Sequence, residues 1–250
     1  MARVRLDQLV VARGLAPSRE RARALILAGQ VMAGGVEVAK AGHLVDDTTE
    51  LTLRRPDHPW ASRGGVKLDH ALEAFAVDVA DRIALDIGAS TGGFTDVLLE
   101  RGASRVVALD VGRGQLDWRL RTDPRVVCLE GVNARHLTTA TLPDGAQQFG
   151  LITVDVAFIS LRHILPALPP LLARDGRVIA LVKPQFEAGR GEIGKGGIVR
   201  DPAVHARVLD EVTDAAHRVG LTRIGMTPSP IAGAEGNREF FLLLGPADGT

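Results

Sequence analysis

A single cysteine among 250 residues has no partner for an internal disulfide and excludes a cysteine-based zinc site. That residue, Cys128, sits in the apolar run Arg125-Val126-Val127-Cys128-Leu129 and reads as a small buried hydrophobe, not a nucleophile. No stretch approaches the roughly 20 apolar residues of a membrane-spanning helix. The N-terminus lacks the apolar core of a signal peptide, so a soluble cytoplasmic protein is expected. The histidines are scattered without ligand spacing, and no metal is expected. There is no internal repeat and no low-complexity tract. Apolar residues make up 46% of the chain and charged residues 24%, which is ordinary for a globular protein. The length suits one large domain, or one medium and one small, and a monomer is expected.

Charge of one sign is also missing overall, since the formal net charge is zero. It is unevenly spread. Residues 1–23 carry Arg3, Arg5, Arg13, Arg19, Arg21 and Arg23 against Asp7 and Glu20, a surplus of four positive charges. Arginine makes forked contacts to phosphate that lysine cannot. A basic head on a mildly acidic body follows.

Two short helices are predicted in this head. Leu6, Leu9, Val10 and Arg13 fall at helical spacing before Gly14, and Ser18 N-caps a second helix from Arg19 to Ala28. Short strands are predicted around Val31-Met32 and Glu37-Val38, then from Thr49 to Leu53. The Pro- and charge-rich segment 55–64 reads as a linker between a domain over 1–54 and another over 65–250. In the second, strands and helices alternate. Helices are predicted at Gly65–Ala76, Gly92–Glu100, Leu161–Leu172 and Pro202–Val219. Strands are predicted at Ile83–Ile87, Arg105–Asp110, Val126–Leu129, Leu151–Val154, Arg177–Val182, Leu221–Met226 and Glu239–Leu244. Apolar strands between helices mean an α/β fold with a mostly parallel sheet covered on both faces.

The sharpest local signal is Leu85-Asp86-Ile87-Gly88-Ala89-Ser90-Thr91-Gly92-Gly93-Phe94, a buried strand ending in a small-residue turn that opens a helix. Such a turn lets backbone approach a ligand and offers free N–H groups. The dinucleotide fingerprint would need glycine at position 90, where Ser90 stands. An Asp two residues before the first glycine is more typical of methyltransferases that bind S-adenosylmethionine, with Asp86 near the cationic end of that cofactor. Asp110, ending the next strand, is placed to accept ribose hydroxyls. A tight strand-to-helix turn with no ligand remains the alternative.

Four separated residues suggest a reaction. Asp155 ends a central strand, Lys183 ends another, Glu239 begins the last strand, and Lys67 lies on the helix before the sheet. A lone lysine after an apolar strand is usually a solvated cap. Two lysines and two acids facing one cleft suit methylation of a hydroxyl. A lysine desolvated beside another cation can lose its proton near neutrality and act as a base. Asp155 and Glu239 would hold the ammonium groups and the hydroxyl in line with the methyl donor.

On these residues the chain resembles the TlyA family, called hemolysin A in older naming, of ribosomal RNA 2′-O-methyltransferases. The resemblance covers nearly the whole chain. Arg5-Leu6-Asp7 through Gly14-Leu15 and Ser18-Arg19 resemble an S4-type RNA-binding domain. Ser62 to Leu68, Asp86 to Phe94, Asp110-Val111-Gly112, Asp155 to Ser160, Lys183-Pro184-Gln185-Phe186 and Gly236 to Glu239 resemble a Rossmann-like, FtsJ-like methyltransferase domain. The resemblance implies a seven-stranded sheet and a catalytic tetrad Lys67, Asp155, Lys183 and Glu239. It assigns S-adenosylmethionine to Asp86, Gly88, Ser90, Thr91, Gly92, Gly93, Phe94, Asp110, Asn133 and Asp155. Ribosomal RNA is the implied partner, contacted by Arg3, Arg5, Arg19 and Arg23. Trp60 falls in an interdomain segment tied to cofactor affinity. The short termini resemble members restricted to 23S RNA, so a cytidine of 23S RNA is expected first and 16S second. Arg190 and Lys195, on the glycine-rich loop 189–197, either close over RNA or belong to a plain connector. The rivals are a non-catalytic ribosome-assembly factor, which the complete tetrad disfavours, and a membrane-lytic protein. The latter's candidate segment Leu161–Leu172 carries three prolines and reads as core. A Rossmann oxidoreductase is disfavoured by the missing middle glycine and by the paired lysines.

Overall fold

The computed structural model describes residues 3–16, 18–27, 29–38, 40–53, 58–142, 148–233 and 236–247, and for Arg190 only the backbone. The chain divides into two compact units, residues 1–59 and 60–250.

The first unit is a small α+β body. β1 (Arg3–Arg5) leads into α1 (Leu6–Ala12), followed by α2 (Arg19–Leu27), β2 (Val31–Ala33), β3 (Val36–Glu37), β4 (Leu44–Asp46) and β5 (Leu51–Leu53). β1 pairs with β4, and β3-β2-β5 form a second sheet. Leu6, Val10, Ala22, Ile26 and Val31 close its core. The Ser18 hydroxyl accepts the Arg21 amide at 3.2 Å, the expected cap of α2. Ala28, the expected end of α2, lies outside the described residues, as do linker residues 54–57. β1 and β4, which pair with each other across about forty residues of sequence, were not expected.

The second unit is a seven-stranded sheet with helices on both faces. Its elements are α3 (Gly64–Ala74), β6 (Ile83–Ile87), α4 (Gly93–Glu100), β7 (Arg105–Asp110), α5 (Trp118–Arg121), β8 (Val126–Glu130), β9 (Phe149–Val154), β10 (Leu172–Val182), α6 (Pro184–Glu187), α7 (Pro202–Arg218), β11 (Leu221–Pro228) and β12 (Phe240–Pro246). The sheet order is β11-β12-β10-β9-β6-β7-β8. The five strands β8 to β10 are parallel, while β12 runs antiparallel to both β10 and β11. Alternate residues of each strand face opposite layers. Leu85 and Ile87 join a core with α7, and Ala84 joins one with α3 and α4. Asp201 caps α7 by accepting the Ala203 amide at 2.8 Å, with Pro202 in the first turn. Cys128 is half-buried on β8, and burial pushes its thiol up.

One expected helix is absent. Residues 161–171 form three single 3₁₀ turns, at Leu161–His163, Leu165–Ala167 and Pro169–Leu171, and β10 already begins at Leu172. Pro166, Pro169 and Pro170 lack the N–H groups an α-helical ladder needs, while their apolar neighbours still bury. Among the described residues no helix is long and apolar enough to cross a membrane.

Candidate functional site

The direction of strand progression reverses between β6 and β9, the position at which open α/β sheets bind ligands. The carboxyl ends of the parallel strands deliver Gly88, Asp110, Asp155 and Lys183 to one edge. β12 is antiparallel, so Glu239, just before it, reaches the same edge. At the reversal β6 and β9 come very close. Asp155 donates its amide to the Ile87 carbonyl at 2.9 Å. Gly88 sits at φ +86°, and a Cβ built on it would run into the Asp155 carbonyl oxygen. Only glycine meets both demands without strain.

Two cavities open here. The first, of about 520 Å³, has an apolar wall of Val111, Val132, Ile159 and Ile164, with Asp110 and Asn133 among its polar lining. The second, of about 310 Å³, is lined by Ser62, Arg63, Lys67, Thr91, Gly93 and Phe94. Gly88, Ser90 and Asp155 line both, so the cavities meet at the strand reversal. Asp110 is fixed by backbone: Oδ2 accepts the Ser90 amide at 2.8 Å and Oδ1 the Gly112 amide at 2.7 Å. Each oxygen keeps a lone pair toward the cavity.

The two lysines are each matched to a carboxylate. Lys67 Nζ donates to Glu239 Oε2 at 2.5 Å. Lys183 Nζ lies 2.5 Å from Asp155 Oδ1, an ion pair by distance though off the line of a good hydrogen bond. The side chains are 11% and 2% exposed in the first pair, 14% and 21% in the second. Lys67 and Asp155 share the second cavity. A Cβ on Gly233, in the same lining, would meet Glu239 Oε1. Both pairs therefore converge on one space, which is the arrangement that the sequence spacing left open.

Not every expected cofactor residue reaches the cleft. Asp86 is fully buried and lines neither cavity. It shares the Ala84 face of β6, which is turned toward α4. Its carboxylate there takes the hydroxyls of Thr95 at 2.7 Å and Thr153 at 2.9 Å. Asp86, expected beside the ligand, braces the turn from beneath. Gly92 also lines neither cavity, being packed against Leu116 and Leu120. Thr91, Gly93 and Phe94 line the second cavity, not the first.

Burial pushes the Asp86 carboxyl from 3.8 up to about 7, against the opposing pull of the Thr95 and Thr153 hydroxyls. Between those values the folded protein holds a proton that the unfolded chain has released. Stability from this group is thus present at low pH and lost as pH rises through about 7. Asp86→Asn imitates the protonated form. Melting curves should show native stability declining relative to the variant between about pH 4 and pH 7. A pH-independent difference would contradict the assignment.

The roles of three residues escaped sequence reasoning. Phe158, which lines the first cavity, is 91% exposed at φ +63°, with its ring 5.2 Å from that of Phe186. Asn237 is buried, accepting the Val199 amide and donating to the Gly197 carbonyl, both at 3.0 Å. It ties the glycine-rich loop to the segment bearing Glu239. Glu192 adds a second tie, pairing with Arg207 of α7 at 2.5 Å. The loop is thus anchored, while Lys195 stays exposed and the Arg190 side chain lies outside the described residues. Glu187 is buried behind Lys183. The Asn237 and Glu187 partners lie far off in sequence, so the segment 236–239 marks Asn237 without revealing its role.

In the first unit the arginines divide. Arg5 Nε and Nη2 both donate to Asp7 at 3.0 Å, and Arg19 Nη2 adds a third bond at 3.2 Å. The guanidinium of Arg5, with that of Arg19, holds the buried Asp7 carboxyl down at about 2. Arg5 and Arg19, expected as RNA contacts, are therefore also partly committed to the fold. Arg3 donates to the Leu44 carbonyl at 2.8 Å, and Arg23 is exposed.

Residues 60–246 match the FtsJ-like methyltransferase family, and residues 4–51 match the S4 domain. A 16S/23S rRNA (cytidine-2′-O)-methyltransferase TlyA of Mycobacterium tuberculosis is 50% identical over 97% of this chain and 90% of its own. A 23S rRNA (cytidine-2′-O)-methyltransferase TlyA of Campylobacter jejuni is 35% identical over 78% of this chain and 74% of its own. A solved structure from Streptococcus thermophilus, described as a hemolysin, superposes with a TM-score of 0.76. It is 46% identical and covers 99% of this chain and 90% of that one.

Proposed function

The chain belongs to the TlyA family of S4-domain, FtsJ-like methyltransferases, and on that premise we propose that it methylates the ribose 2′-hydroxyl of a cytidine in ribosomal RNA, using S-adenosylmethionine. The observation that carries this reading is the convergence of two Lys–carboxylate pairs on a cavity that shares Asp155 with a nucleoside-sized neighbour. The relative from Mycobacterium tuberculosis is a 16S/23S rRNA methyltransferase and that from Campylobacter jejuni a 23S rRNA methyltransferase, so 23S RNA is the substrate the two share. Such a substrate puts the protein with ribosomes in the cytoplasm.

The first cavity fits the cofactor. An apolar slot between Val111, Val132 and Ile159 suits a purine, and the doubly anchored Asp110 carboxylate suits a ribose diol. Ser90 and Asn133 complete the polar lining, with Gly88 and Asp155 at the junction. When bound, S-adenosylmethionine supplies an electrophilic methyl group on a cationic sulfur.

The protein's work is to orient the acceptor and take its proton. The acceptor ribose enters the second cavity. Lys183 would receive the proton of the acceptor 2′-hydroxyl, and Asp155 would hold the ammonium that results. Lys67, held by Glu239, places a fixed positive charge beside the same hydroxyl. The exposed Phe158 ring at the mouth offers a face for the base of a nucleotide turned out of its helix.

The first unit supplies affinity through phosphate contacts. Arg23, exposed and outside the Asp7 cluster, separates binding from folding better than Arg19. Arg23→Glu should weaken binding to ribosomal subunits and lower the slope of log affinity against log salt by about one, with cofactor affinity unchanged. An unchanged slope would remove Arg23 from the interface. For the reaction itself the test is methyl transfer to isolated subunits, compared between the native chain and a Lys183 variant.

A further inference from the structure

Behind the Asp155–Lys183 pair the two strand-end segments stay joined for another turn. The rings of Phe158 and Phe186 stand 5.2 Å apart. Beyond them Glu187 takes the Ser160 hydroxyl on Oε2 at 2.5 Å and the Leu161 amide on Oε1 at 2.6 Å. Arg162 closes over this junction. Its Nη2 donates to the Glu187 carbonyl at 2.9 Å, and its Nε lies 3.4 Å from Glu187 Oε2. Residues 155, 158 and 160–162 thus face 183, 186 and 187 in order, as a short ladder whose open end is the catalytic pair.

The ladder is stiff on both sides. Pro184–Glu187 is a single helical turn, with the Phe186 amide on the Lys183 carbonyl and the Ala188 amide on that of Pro184, both at 2.9 Å. Glu187 is therefore a rigid lever one turn from Lys183. On the other side Arg162 Nη1 reaches Glu211 of α7 at 3.3 Å, and Glu211 pairs with Arg207. Glu187 itself is only 5% exposed, and both its oxygens are occupied from within. It has no room to touch substrate. A structural filler would not need a charge there, and a buried carboxylate is costly unless it is bonded. The donors it serves all belong to the segment that begins at Asp155.

We propose that Glu187 is a positioning residue for methyl transfer, clamping segment 155–162 to Lys183–Glu187 so that Asp155 and Lys183 meet at the acceptor hydroxyl. This rests on the reaction assigned above. Glutamate suits the post because a carboxylate accepts on both oxygens. A glutamine would turn one amine edge toward Ser160 and Arg162, where the serine hydroxyl can reverse its role and the guanidinium cannot.

The test uses the full-length chain with Glu187→Ala, Glu187→Gln and Ser160→Ala. Misplacing a reacting group by about 1 Å can cost around 100-fold. We expect kcat on isolated ribosomal subunits to fall by roughly 10- to 100-fold for Glu187→Ala, with less loss for glutamine and only a few-fold loss for Ser160→Ala. The RNA KM should move by no more than about threefold, and the calorimetric cofactor Kd should rise by clearly less than kcat falls, because Asp155 walls the first cavity too while Asp110 and Gly88 are untouched. Hydrogen exchange over 155–163 should quicken in the same order, with melting temperatures close to native. Native kcat in all three variants, or unchanged exchange in that segment, would overturn the proposal. So would a kcat loss matched by an equal loss of cofactor affinity. Should Glu187→Ala fail to fold, Ser160→Ala and Glu187→Gln decide. Exchange needs no turnover, so it judges the clamp even if the native chain methylates nothing, a result that would overturn the assigned reaction instead.

Discussion

Lys183→Ala is expected to lower kcat for methyl transfer by about 100- to 10,000-fold, the usual worth of a positioned base, while cofactor affinity stays nearly native. The separation follows from the geometry. Lys183 stands outside the lining of the first cavity, at the end of β10 beside Asp155. Lys183→Arg should not rescue the rate. A guanidinium restores the ion pair with Asp155 but cannot give up a proton near neutrality. Single-turnover transfer and cofactor calorimetry on the same preparations check both halves. An arginine variant with native rate would reassign Lys183 from proton acceptor to electrostatic support.

Gly88→Ala is the second large effect, and it should fall on binding first. The added methyl group meets the Asp155 carbonyl at the point where β6 and β9 pass closest, and the residue must also keep φ near +86°. Left-handed backbone costs an L-residue about 1–2 kcal/mol before any clash. Relief requires Asp155 to move, and Asp155 walls both cavities. Cofactor Kd should rise at least about tenfold, the equivalent of 1.4 kcal/mol, and transfer should fall with it. A glycine-to-alanine change elsewhere on the surface would not do this. Native cofactor affinity in Gly88→Ala would mean that the β6–β9 junction yields more easily than its packing indicates.

The strands around the site were the most legible part of the chain. β6 and β7 fall where their apolar runs place them, because a doubly covered parallel strand buries every residue and punctuates itself with a glycine turn or an acid. The set Lys67, Asp155, Lys183 and Glu239 was legible as three charged residues at strand ends and one on the helix before the sheet. Its pairing, Lys67 with Glu239 and Lys183 with Asp155, was not, since pairing depends on strand order. Asp86 shows the limit most sharply. Its position in the motif places it at the turn, but the alternation of β6 turns its side chain under α4 onto Thr95 and Thr153. Asp7 is the parallel case in the first unit. As a letter it only offsets positive charge, whereas in the fold it is the buried anchor of Arg5 and Arg19. The segment 161–171 was misread because apolar spacing outweighed its prolines, which allow burial and forbid the α ladder. Glu187 carried no signal, and Asn237 stood out only as a neighbour of Glu239 in the segment 236–239, their partners being brought together by the fold.

The most direct test of the account is transfer of labelled methyl from S-adenosylmethionine to isolated 30S and 50S subunits, followed by digestion of the RNA to nucleosides. The account predicts label in 2′-O-methylcytidine from 23S RNA, and its disappearance when Lys183→Ala replaces the native chain. Cofactor binding with no label in either subunit, or label on a nucleobase, would contradict it.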